Sequence, residues 1–160
     1  MQMMKLGNLW IEDVANPKPH EIDLDHMKLR LETDRRFAGN PRAYTIAAHQ
    51  DLVAKLAMNQ GESQEVYEWA LHHDCHEFVT GDIPQPIKAM MGERVLMIEM
   101  AWDRAIAGAL GVKYPAQSTR QRVKIYDKQA ASIEWYFKLG EDTHPDFEMI
   151  DPALVPEGWI

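Results

Sequence analysis

The sequence has almost no sulfur-bridging capacity: Cys75 is its single cysteine. An internal disulfide framework is therefore excluded, and a reducing compartment is expected. Long apolar runs are missing as well. No stretch approaches the roughly 18 apolar residues of a membrane span, and the opening MQMMKLGNLWIEDV lacks the apolar run of a secretory signal. Positive charge is scarce, with 17 Lys and Arg against 25 Asp and Glu and a formal net charge of −8. A broad nucleic-acid surface needs a basic face and is not expected. A small anionic substrate stays compatible, provided that cations or a metal gather locally. Internal repeats, low-complexity segments and useful strand alternation are absent too. What is present is 160 residues, 46% apolar and 26% charged, enough for one domain with its own core. The expectation is a single cytoplasmic domain over residues 1–160.

Helical periodicity fills most of this length, so the fold class is all-α. Residues 7–21, with Gly7, Pro17 and Pro19, read as an irregular lead-in with a short extended piece at LWIEDV. Leu24, Met27 and Leu31 recur at three- and four-residue steps and open a helix near Asp23. Gly39, Asn40 and Pro41 then turn the chain. Further helices are expected from Tyr44 to Asn59, from Ser63 to about Val79, from about Ile87 to Leu110, and from Ser118 or Thr119 to about Leu139. The last twenty residues read as irregular, yet they carry Phe147, Ile150, Leu154 and Trp159. That much apolar surface is too great for a free end and points to a closed homo-oligomer.

Ionisable residues interrupt the apolar stripes of three of these helices. Ile46, His49, Val53 and Leu56 fall on one face, as do Val66, Ala70, His73, Asp74 and Glu77. Val123, Asp127, Ala130, Glu134 and Phe137 form a third such stripe. Buried charges must pair or bind metal, because leaving them alone costs several kcal/mol. A single inward histidine is ordinarily a satisfied core residue. Convergence from three helices favours a shared cation instead. Imidazole nitrogen mixed with carboxylate oxygen suits zinc, manganese, cobalt or iron rather than calcium.

His49, the adjacent pair His73-Asp74, and Asp127 match an H…HD…D signature, and the chain resembles the HD-domain metal-dependent phosphohydrolases. HDCHEFVTGDIPQPIK is similar to the HDxxExxxGDxPxPxK block of the bacterial 5′-deoxynucleotidases and the phage deoxyadenosine triphosphohydrolases. RRFAGNPRAYTIAAHQ resembles the RFxGH…YSVAxHS stretch of the phage group, and VKIYDKQAASIE fits its later pattern. Gln50 stands where a serine usually follows the first ligand, and Asn40-Pro41 where the phage group often has His.

The resemblance implies a compact helical bundle in which His49, His73, Asp74 and Asp127 hold a divalent transition metal. Cobalt, zinc and manganese fit, with magnesium a further option. Glu77 would orient or deprotonate a water, and Asp82 would activate water or protonate the leaving group. Arg36 and Phe37 would hold the nucleotide. Lys88 would neutralise a phosphate, unless it is merely solvated. The same two readings apply to Arg120, Arg122 and Lys124, whose functional role would be contact with a polyphosphate tail. His72 and His76 fail the HExxH order and read as supporting or exposed residues; Cys75 reads as structural. The implied reaction converts deoxyadenosine triphosphate to deoxyadenosine and tripolyphosphate, in a host cytoplasm for a phage-encoded chain. A 5′-deoxynucleotidase and a non-catalytic nucleotide sensor are the alternatives.

Overall fold

The short extended piece expected near Leu9 is one arm of a hairpin in the computed structural model, which describes residues 1–160. β1 (Met4–Leu6) pairs antiparallel with β2 (Leu9–Ile11), with Lys5 opposite Trp10. Three-residue strands carry no alternation to read, so the β1 arm was not foreseeable. Gly7 makes the turn at φ +66°, and a Cβ there would lie 2.6 Å from Asp23 Oδ2. Only glycine lets the hairpin close against the start of the first helix.

Behind the hairpin the chain is helical, as the periodicity predicts. The elements are α1 (Leu24–Thr33), α2 (Ile46–Asn59), α3 (Gln64–Ala70), α4 (Glu77–Thr80), α5 (Gln85–Met91), α6 (Glu93–Leu110) and α7 (Gln117–Ile133). Side-chain caps set three of the starts: Asp23 accepts from His26 N–H, Thr45 from Ala48 N–H and Ser63 from Val66 N–H. Two expected helices are shorter. The one begun at Ser63 stops at Ala70, not Val79, and gives way to a turn. The one expected from Ile87 to Leu110 is cut by Gly92, whose φ of 68° and ψ of −150° no helix accommodates. α7 ends at Ile133 and passes into one π-helical turn, Glu134–Lys138.

The stripes build two apolar clusters. One joins α2, α3 and α7 through Leu52, Val53, Leu56, Val66, Trp69, Val123, Tyr126 and Ile133. The other gathers Ile11, Ile22, Met27, Leu31, Ile46, Phe78, Trp102 and Ile106 under the hairpin and α6. His49 sits on α2 between Ile46 of one cluster and Val53 of the other. The C-terminal tail is not a loose end. Ile150, Val155 and Trp159 pack on the first cluster, and Trp159 meets Tyr44 edge-on at 5.7 Å. Part of its apolar weight is thereby covered within the chain, while Met149, Leu154 and Ile160 stay exposed.

Candidate metal centre

α2 delivers His49, fully buried, with its ring aimed at α7. His73 and Asp74 arrive differently from the continuous helical face expected of them. After Ala70 the bonds shorten to three-residue spacing: His72 N–H donates to Trp69 O at 2.9 Å, Cys75 N–H to His72 O at 3.1 Å, and Glu77 N–H to Asp74 O at 2.9 Å. This tight winding leaves the Asp74 N–H for the Gln50 side chain, which accepts it at 2.9 Å. His73 Nδ1–H donates to Ala70 O at 2.7 Å. That bond places a proton on Nδ1 and leaves Nε2 facing the carboxylates.

The four residues converge. One donor atom from each of His49, His73, Asp74 and Asp127 lies within 4.8 Å of the others. His49 Nε2 is 2.8 Å from Asp127 Oδ1 and 3.5 Å from Asp74 Oδ2. His73 Nε2 is 3.2 Å from Asp74 Oδ2 and 3.5 Å from Asp127 Oδ1. It is buried without a hydrogen-bond partner, as is His49 Nδ1. Electrostatically the cluster is a cation trap. Burial opposes the ionised state of Asp127, but its hydrogen bond with His49 and the nearby His73 imidazole hold its pKa well below the ordinary carboxylate range. Burial likewise opposes protonation of His73, yet the carboxylates of Asp74 and Asp127 raise its pKa well above the usual histidine value. Two imidazoles and two carboxylates, with His49 buried and the other three half-buried, converge on one point and can hold a metal ion.

The residues expected around the metal divide into two groups. Glu77 lies beside Asp74 and is buried, not solvated, with Oε2 unpartnered. Burial, and then the charges of Asp74 and Asp82, push its pKa well above the carboxylate range. Asp82 accepts from Ala38 N–H at 3.3 Å, which ties its loop to the turn carrying Arg36 and Phe37. Arg36 Nη1 is 3.8 Å from Asp74 Oδ2, while its Nε donates to Glu134 at 2.7 Å. Lys124 Nζ is 3.1 Å from Asp127 Oδ2. Lys88 is neither free nor fully solvated, since its Nζ lies 2.8 Å from Glu99 Oε1. Arg122 and Arg120 do not join the cluster. Arg122 Nε donates to Glu62 at 3.0 Å, and Arg120 donates to Pro115 O at 2.6 Å and lies over the Tyr114 ring. Both are engaged by their own neighbours, so the polyphosphate contact expected of them is not supported.

The contacts of other supporting residues escaped the sequence reading. Gln50, noted only as a departure, holds the Asp74 backbone and lies 3.6 Å from Cys75 Sγ. Glu134, fully buried, accepts from Tyr44 N–H at 2.7 Å as well as from Arg36. His76 is buried, not exposed: its Nδ1 is 2.8 Å from Asp103 Oδ1 and its Nε2 3.6 Å from Glu99 Oε1. Glu99 and Asp103 sit four apart on α6 beside Trp102 and Ile106, and that acidic pair on a half-apolar helix was the available signal.

No family model matches this chain. It is similar to an uncharacterized protein of Rhodobacter capsulatus, 29% identical over 153 residues that cover 89% of this chain and 78% of the relative. No helix is long and apolar enough to cross a membrane.

Proposed function

We propose that this chain is a metal-dependent phosphohydrolase of the HD-domain type that removes phosphate from deoxynucleotides. The observation that carries the reading is the convergence of His49, His73, Asp74 and Asp127 on one point. When bound there, a divalent transition metal supplies Lewis acidity to a phosphoryl oxygen and makes a nearby water more acidic. The rest falls to the chain's own groups. Glu77 presents an unpartnered carboxylate oxygen next to Asp74 and takes the proton from the attacking water. Asp82, fixed against the Ala38 N–H, relays that proton from Glu77 to the leaving 5′-oxygen. Arg36, Lys88 and Lys124 balance phosphate charge. Water attacks the α-phosphorus, the bond from phosphorus to the 5′-oxygen breaks, and the deoxynucleoside leaves as its free alcohol.

Deoxyadenosine triphosphate is the first substrate in this proposal, with tripolyphosphate as the other product. A 5′-deoxynucleotidase acting on monophosphates is a second reading, favoured by one observation. Arg122, counted from sequence among the cations for a phosphate tail, is paired with Glu62. A second copy of the chain completes the proposal, now on different ground. Ile87, Met90, Met91, Leu96, Met97 and Ile98 are exposed on α5 and α6, and Glu93 and Arg94 among them give both signs of charge that an isologous contact can pair.

The test is a panel of deoxynucleoside mono- and triphosphates with separate divalent metals, followed by chromatography of early products. Deoxyadenosine with tripolyphosphate supports the leading reading, and turnover of monophosphates alone supports the second. No metal-dependent product from any nucleotide contradicts both. Glu77→Gln separates chemistry from binding: the metal stays bound and turnover falls by about 10²-fold. Loss of the metal in that variant would make Glu77 a ligand.

A further inference from the structure

Four aromatic rings meet beside the metal cluster without helping to hold it. Trp135 and Phe147 stack with centroids 4.7 Å apart and planes 12° from parallel. Phe37 tilts against both, at 5.9 Å and 6.0 Å. His144 closes the group, 5.5 Å from Trp135 and 5.6 Å from Phe147. All four residues are only partly buried. Polar contacts fix where this group sits. Arg36 touches both Asp74 of the cluster and Glu134, and the residues that follow each, Phe37 and Trp135, pair as rings. An ion pair and an aromatic pair thus run side by side out of the centre. The Trp135 indole N–H is already committed, donating to Asp142 O at 2.8 Å. With one indole face covered by Phe147, what the ring can offer a ligand is the opposite π-face.

The backbone at this wall is special on both sides. Phe37 and Ala38 hold φ of 53° and 54°, the left-handed region that residues with a Cβ rarely enter. Strain of this kind persists where the surroundings enforce it, and it concentrates at ligand sites. Trp135 lies in the π-helical turn Glu134–Lys138, which shifts it out of the register of α7. Such turns also gather at functional positions. Ordinary tail packing requires neither feature.

We propose that Trp135, Phe147, Phe37 and His144 form a nucleobase subsite, stacking the base of a nucleotide whose phosphate lies at the His49–His73–Asp74–Asp127 cluster. The phosphate end of this inference rests on the phosphohydrolase reading; the base end does not. Stacking discriminates by ring area, because every base presents a π-face. The wall therefore favours purines over pyrimidines and separates adenine from guanine weakly.

The experiment compares wild type, Trp135→Leu and Trp135→Phe, each checked by thermal melting. Phosphate release is measured from a purine deoxynucleotide and from base-free deoxyribose 5-phosphate. The ratio of kcat/KM between the two substrates falls about tenfold in Trp135→Leu, through KM, and recovers in Trp135→Phe. If Trp135→Leu does not fold, Phe147→Leu carries the same ratio. Separately, deoxyadenosine without phosphate quenches the intrinsic fluorescence of wild type, and the quenching is lost in Trp135→Phe. An unchanged ratio in the leucine variant, or a titration in which wild type and Trp135→Phe behave alike, overturns the subsite and leaves the phosphohydrolase reading standing. If no phosphate compound is turned over, that reading fails, and the nucleoside titration alone decides the wall.

Discussion

Glu134 carries more buried polar connections than its place at a helix end would suggest. It is fully buried, yet its two oxygens hold Arg36 and the Tyr44 N–H, both at 2.7 Å. Arg36 in turn leans on Asp74, so Glu134 supports the candidate metal centre from behind. Removing one partner from a buried pair strands the other. Glu134→Leu is predicted to lower the unfolding free energy by about 3–5 kcal/mol, read from the shift of the urea midpoint at unchanged m-value. An effect below about 1 kcal/mol, the scale of an exposed pair, would show that Arg36 finds water or another carboxylate. Gln50 acts on the centre through one bond, to the Asp74 N–H. Gln50→Leu keeps the bulk and loses the acceptor, so metal affinity should drop by about 10–100-fold in competition with a chelating indicator. Affinity equal to wild type would mean that the turn holds Asp74 without help.

Among the elements, the turn between α3 and α4 decides the site. Helical periodicity correctly assigns His49 and Asp127 to inward faces because α2 and α7 are regular across them. It also brings His73, Asp74 and Glu77 to the centre, but for a reason that does not hold. α3 ends at Ala70, and three-residue bonding carries the chain onward. What sequence periodicity cannot register is the Gln50 side chain capturing a backbone N–H from another segment. The hairpin was equally hidden, since its anchorage is side chain to backbone. Buried Glu21 accepts from Glu12 N–H at 2.9 Å and Lys18 N–H at 2.8 Å. The Glu12 bond above all, with the Lys18 bond assisting against burial, lowers its pKa from the ordinary 4.5. A depressed carboxylate stabilises the fold above its unfolded pKa, and that contribution is lost as pH falls through the folded value. Glu21→Gln should therefore be less stable than wild type at neutral pH, and the two stability curves should converge below pH 4.5. A gap constant with pH would show that the carboxylate charge is irrelevant there.

For the whole molecule, the α5–α6 face exposes more large apolar residues than the tail that composition singles out. The tail folds back onto Tyr44 and the α2–α3–α7 cluster, while Met90 and Met97 stand 85% and 71% exposed. Sedimentation at micromolar concentration is predicted to give a closed homo-oligomer that Met90→Glu with Met97→Glu disperses; a wild-type monomer would contradict it. The acidic surface, at −8 overall, still surrounds a centre where Arg36 and Lys124 approach the ligand carboxylates. Everything proposed for this chain depends on His49, His73, Asp74 and Asp127 acting as one site. Calorimetric titration of chelator-treated protein with cobalt(II), for wild type beside His73→Ala and Asp127→Asn, tests that most directly. One tightly held ion per chain in wild type, with binding lost in both variants, is the predicted result. Binding of equal strength and stoichiometry in wild type and in His73→Ala would contradict it.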